Sequence, residues 1–324
     1  MIGTQEVQKI MHGTEELTTL AIGGWSFPVG GDDYSKMPFT IEVLNHASGS
    51  SAGTITLTPS SSALYRELWY SKNGGEATRL NFGGDTTARS IPVTFGDKIE
   101  FAVQSDANGT ADGSSSYIKI NSTDEYFKVY GNIMSLAYVD YQSATTLPSN
   151  YCFCGVFRNS TKLIDAENLV FPAETLTMYC YANMFDGCTG LTVSPIILPA
   201  TILVKSCYRE MFNNCRSLTT GPELPSTTLA QECYGNMFFS CVSLSAAPYL
   251  PSTSLARDSY YCMFYNCSSL NYIKCLATDI SASDCTTNWV KNVPANGTFV
   301  KDANMSSWTT GVNGIPDGWT VENA

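Results

Sequence analysis

Tyr208-Arg209-Glu210-Met211-Phe212-Asn213-Asn214-Cys215-Arg216-Ser217-Leu218 decides the reading of this chain, because sister copies flank it in fixed phase. Their anchors are Phe157, Phe185, Phe212, Phe238 and Phe264, spaced by 28, 27, 26 and 26 residues. Four positions before each stands an aromatic (Phe153, Tyr181, Tyr208, Tyr234, Tyr260), and six after it a leucine (Leu163, Leu191, Leu218, Leu244, Leu270). Immediately before the anchor come Val156 and then Met184, Met211, Met237 and Met263. A proline- and threonine-rich second half, such as Leu224-Pro225-Ser226-Thr227-Thr228-Leu229, returns the chain to its start. This period predicts a solenoid. One repeat cannot bury its apolar face alone, whereas stacked copies place like residues above like in one continuous core.

The 12 cysteines follow the same phase. Cys152, Cys180, Cys207 and Cys233 lie five residues before the anchor, and Cys188, Cys215, Cys241 and Cys267 three after it, with Ser160 in the first copy. Buried thiol behaves as a small hydrophobe. A ladder offers no unique disulfide partner, so reduced core thiols are expected. Zinc is not expected, because Cys152-Phe153-Cys154 lacks a second paired motif and the only histidines are His12 and His46.

Outward from the repeats, residues 37–142 read as a β-sandwich of short strands with turn signals every eight to twelve residues. The runs are Phe39 to Leu44, Gly53 to Thr58, Glu67 to Ser71, Ala77 to Phe82, Ile91 to Phe95, Lys98 to Val103, Tyr117 to Ile120 and Phe127 to Tyr130. Asn73-Gly74 marks a tight hairpin, since both residues accept positive φ cheaply. Residues 1–36 hold a duplicated Gly-Thr arm, read as strand-turn-strand, and an irregular linker around Trp25, Phe27 and Pro28. The repeats occupy 143–275. Residues 276–324, with Trp289, Trp308 and Trp319, no longer repeat and read as a C-terminal cap. The fold class expected is therefore mainly β: arm, sandwich, leucine-rich-repeat solenoid and cap.

The net charge of −11 and the lack of any basic run argue against a nucleic-acid partner. No apolar stretch reaches the length of a membrane span, so membrane insertion is not expected. The opening Met1-Ile2-Gly3-Thr4-Gln5 lacks the features of a secretion signal, which points to completion in the cytoplasm.

The aromatic-x-x-Cys-x-x-Leu run, kept in phase through the copies, resembles the BspA-type leucine-rich repeat over about 125 residues. The flanks, from Phe127-Lys128-Val129-Tyr130-Gly131-Asn132 to Gly314-Ile315-Pro316-Asp317-Gly318-Trp319, resemble proteins encoded by Bacteroides and their tailed phages. The Gly-Thr arm is similar to N-terminal segments of phage tail and fibre proteins. These resemblances imply a non-catalytic virion protein, assembled in the host cytoplasm, that displays a solenoid toward a host-surface glycan or protein. Val7, Ile10, Leu17 and Leu20 would dock it on other virion proteins, as a homo-oligomer, by analogy with fibres a trimer. The alternatives are a bacterial cell-surface adhesin and a polysaccharide depolymerase.

Several strings bear on chemistry. Gly49-Ser50-Ser51-Ala52-Gly53 matches the serine-hydrolase elbow in letters only, because no histidine follows position 46. Asp106, Asn108, Thr110 and Asp112 alternate like the start of a calcium loop, yet Ala111 and Tyr117 stand where glycine and glutamate belong. No cofactor motif occurs. A depolymerase would need paired carboxylates, with Asp165, Glu167, Glu174, Glu223 and Glu232 as candidates. The slot after the anchor runs Arg158, Asp186, Asn213, Phe239, Tyr265, polar early and aromatic late. With Tyr249, which replaces Glu223 of the preceding copy, Phe239 and Tyr265 are the candidate ligand contacts; packing against the cap or another subunit weighs equally.

Overall fold

The computed structural model describes residues 33–44, 52–60, 68–82, 85–103 and 118–324 in full, and the backbone alone of 7–12, 15–22, 25–29 and 45–46. The fold is mainly β, in several sheets, none closed. Among the described residues the only helical element is a 3₁₀ turn, Ile133–Leu136, capped by the Asn132 side chain.

Three strands, β1 (Val7–His12), β2 (Glu15–Ile22) and β3 (Trp25–Val29), form an antiparallel meander. The strand-turn-strand reading of the arm holds in its backbone. The reading of Trp25, Phe27 and Pro28 as irregular does not, since β3 pairs with β2 along its whole length. The register pairs Val7 with Leu20 and Ile10 with Leu17, so the four proposed docking residues are two cross-strand pairs.

Eight further strands follow: β4 (Phe39–His46), β5 (Gly53–Pro59), β6 (Leu68–Lys72), β7 (Thr78–Leu80), β8 (Arg89–Val93), β9 (Lys98–Val103), β10 (Ile118–Asn121) and β11 (Glu125–Asn132). They divide into a sheet β10-β5-β8 and a sheet β11-β4-β9-β6-β7, all antiparallel. Alternation puts Ile55 and Leu57 of the first and Ile99, Phe101 and Val103 of the second into one core. Asn73 and Gly74 turn the β6–β7 hairpin at φ 55° and 69°, the left-handed pair that a two-residue hairpin requires. Phe95, expected at the end of a strand, instead lies in the turn between β8 and β9.

β11 is the hinge of the architecture. On one side it runs antiparallel to β4; on the other it runs parallel to β12 (Leu163–Asp165) and β13 (Leu169–Val170), the return half of the first repeat. Gly131, at φ +85°, lets it pass Pro38, whose carbonyl oxygen would lie 2.1 Å from any added Cβ. The sheet region and the repeats therefore share one apolar core, joined through the Phe39–Phe157 ring contact at 5.9 Å.

Each repeat contains a run of consecutive turns whose backbone hydrogen bonds account for themselves. In the second copy, Ala182, Met184, Asp186 and Cys188 N–H donate three residues back within the coil, to Tyr179, Tyr181, Asn183 and Phe185 C=O. The alternate amides of Tyr181, Asn183, Phe185 and Gly187 donate to Cys207, Arg209, Met211 and Asn213 of the next coil at 2.8–3.0 Å. Every fourth residue takes positive φ, as at Tyr179, Asn183 and Gly187. Asparagine recurs there because its short polar side chain tolerates that region. Inside, the anchors stack from ring to ring at 5.2–5.7 Å, and the leucines six residues on are fully buried.

The stack is longer at both ends than the sequence pattern. At its start, Ile120 of β10 donates to Val156 C=O as Phe157 donates to Met184, so β10 extends the ladder by one rung. At its end, Tyr260, Cys262, Phe264 and Asn266 donate to Cys285, Thr287, Trp289 and Lys291, a further coil without the motif. There Trp289 takes the place of Met263 and covers two rows, stacking on Tyr260 at 6.1 Å and tilting over Phe264 at 6.2 Å. Parallel strands β14 (Tyr272–Cys275), β15 (Thr298–Lys301) and β16 (Thr320–Asn323) close the return side. Trp289 and Trp319 are buried, with indole N–H groups on Gly314 and Pro294 C=O, each at 2.8 Å.

Candidate functional site

All 12 cysteines are buried thiols. The row three residues after the anchor is more than small apolar filling. Cys188, Cys215, Cys241 and Cys267 Sγ each donate to the anchor carbonyl of the preceding coil, at 2.9, 3.1, 3.0 and 3.0 Å. Ser160 makes the same bond to Ile120 C=O. Burial pushes the thiols up, Cys207 and Cys267 to about 12, so the thiolate and its nucleophilicity are suppressed. Among the described residues no group of acidic, histidine and cysteine side chains is arranged to hold a metal ion.

On the turn side, Phe239 and Tyr265 are half-buried and stacked, centroids 4.7 Å apart and planes within 12°. Lys291 of the following coil places its ammonium 5.4 Å from the Tyr265 centroid. The coil order thus sets Phe239 on one face of Tyr265 and Lys291 on the other. A sugar ring laid flat on Tyr265 would have to displace one of them. The early part of the same slot is polar: Arg158 Nε lies 2.8 Å from Asp186, whose carboxyl is raised by burial against the pull of that guanidinium. Beside it, Arg209 bridges Glu210 at 3.1 Å and Glu232 at 3.2 Å, while Asn183 donates to Glu210 and Ser206 to Glu232.

The return side places Tyr249 in a different row from the stacked pair. It is 48% exposed, with Lys274 Nζ 5.3 Å from its ring, and Tyr272 at 38% is also open. Earlier coils leave Ile196 and Ile202 exposed there. A half-open apolar groove of about 420 Å³ lies where segment 33–35 meets the first two coils, lined by Tyr34, Phe171, Pro172, Ile196, Ile197 and Pro199. Nothing in the sequence pattern pointed to this groove, because Tyr34 stands more than 130 residues from the other walls. A second half-buried ring pair, Tyr151 on Tyr179 at 4.7 Å, was equally unforeseen.

Of the carboxylates, Glu223 stands in the return row, bridged to Ile197, whereas Glu232 is held on the turn side by Arg209. Asp165 closes β12 and accepts the Glu167 N–H at 2.8 Å; Glu174 is exposed. The calcium-like stretch 106–112 lies outside the described residues, as do 49–51 of the elbow-like string, whose Gly53 opens β5. Among the described residues no helix is long and apolar enough to cross a membrane. No family model, curated protein or solved structure matches this chain.

Proposed function

We propose that this chain is a non-catalytic, fibre-like virion protein built on a leucine-rich-repeat solenoid with a C-terminal cap. Residues 7–29 dock on other virion proteins through Val7, Ile10, Leu17 and Leu20, the sheets act as spacer, and the solenoid engages a glycan or protein of the host surface. The observation that carries the reading is the coil-to-coil hydrogen-bond ladder, continuous from Ile120 to Lys291. Such a ladder presents rows of side chains at a spacing of roughly 4.8 Å on a rigid support, a geometry suited to contacting an extended partner. Exposed on the return side are Tyr249 and Tyr272, with half-buried Lys274 against the Tyr249 ring, and the half-buried pair Phe239 and Tyr265 lines the turn side.

The test is mass spectrometry of purified virions beside the envelope fraction of the same culture. Detection in virions at structural stoichiometry supports the proposal. Recovery only in the envelope replaces it with the surface adhesin.

A further inference from the structure

We propose that copies of this chain self-associate head to tail, with Phe95 of one copy seated in the apolar groove beside Tyr34 of the next. This goes beyond the reading above and does not depend on what the solenoid binds.

Phe95 is 70% exposed at the tip of the β8–β9 turn, the most open large apolar side chain among those described. The turn that presents it is pinned from several directions. Asp97 accepts from Thr94 N–H at 2.8 Å and Asn73 Nδ2 at 2.7 Å and pairs with Lys72 at 2.7 Å; Gly96 N–H donates to Val43 C=O at 2.9 Å. A ring held out on a rigid turn loses little conformational entropy on docking, which distinguishes an interface anchor from an apolar residue left in a loose loop.

The groove is the complementary shape. Its walls are mostly apolar, with Asp33, Ser35, Glu167 and Asn168 among them, and its volume of about 420 Å³ accommodates one aromatic side chain and its flanks. Ile196, on its lip, is 56% exposed. Charge favours the same pairing. Lys98, three residues beyond the ring, is 57% exposed, and its only ion pair among the described residues is a long one, 3.8 Å to Glu42. The groove lip carries Glu167, exposed and in no ion pair among the described residues. A cation beside the finger and an anion beside the groove steer this orientation in a chain that is otherwise acidic. The finger does not fill its own chain's groove, since it is open to solvent there. Because finger and groove are different surfaces of one chain, the contact is heterologous, and each copy both donates and receives one ring.

The experiment is sedimentation of the full chain and of variants at exposed positions, Phe95→Ser and Ile196→Asp, with Val139→Ser as a control remote in sequence from both elements. Circular dichroism confirms that each variant folds. The parent and Val139→Ser are expected to sediment as oligomers at micromolar concentration and both test variants as monomers. Mixing Phe95→Ser with Ile196→Asp should give one-to-one dimers only, since one retains the groove and the other the finger. A monomeric parent, test variants that assemble like the parent, or a mixture that stays monomeric would each overturn the proposal. The charge swap Lys98→Glu should weaken assembly at low salt and Glu167→Lys should restore it; absence of that rescue counts against the stated orientation.

Discussion

Cys241 tests whether the thiol row holds the coils by hydrogen bonding or merely fills space. Its Sγ is buried and donates to Phe212 C=O at 3.0 Å, an oxygen that also accepts the Cys215 N–H of its own coil. Replacing Cys241 by Ala removes about one methylene-equivalent of buried apolar group, about 0.8 kcal/mol. It also deletes a bond whose net value is about 0.5–1.5 kcal/mol. The expected loss is therefore about 1.3–2.3 kcal/mol, with no unsatisfied carbonyl left behind. Cys241→Ser keeps the donor, as Ser160 does in the first coil, and should cost about 1 kcal/mol, less than Ala. Urea unfolding followed by circular dichroism measures both, with m unchanged if the transition stays two-state. If Ala proves as stable as Ser or more so, the row is packing alone and the hydrogen-bonding argument fails.

Other consequences follow from the same geometry. The buried thiols have folded values raised above the unfolded value near 9, to about 12 at Cys207, Cys267 and Cys275; the unfolded chain then loses protons first. The thiols' contribution to stability should be flat below about pH 9 and lost between pH 9 and 12 in thermal melts, and a chain that gains stability there refutes the burial of these groups. Gly131→Ala should cost more than about 3 kcal/mol, or prevent folding, because it combines strained φ with a 2.1 Å contact to Pro38; near-native stability would show that the β11 crossing can relax. Phe239→Ser with Tyr265→Ser should lower stability by about 1 kcal/mol while keeping the chain soluble, and reduce adsorption of the protein to host cells; unchanged adsorption moves the contact to Tyr249 and Tyr272.

The periodic part of this protein was legible in one dimension because its contacts repeat at a nearly constant separation in sequence. A residue's neighbour above is the same residue type one period on, so a column of Phe, Leu or Cys in the sequence is a column in space. The strands of the two antiparallel sheets were legible for a related reason: Lys98–Val103 alternates, and Asn73-Gly74 suits only one kind of turn. What the letters could not show lies where unlike segments meet. Ile120 is register-equivalent to Phe157 only because β10 happens to lie beside the first coil, and Trp289 replaces a methionine in a coil where Thr286 and Val290 stand in place of the aromatic and the anchor, with Cys285 keeping the phase of the first cysteine row. The groove joins Tyr34 to Ile196 across more than 160 residues, and no local rule couples those positions. The orientation of Tyr265, sandwiched between Phe239 and Lys291, likewise follows from the height of one coil over the next, a quantity that side-chain identity does not encode but backbone hydrogen bonding does.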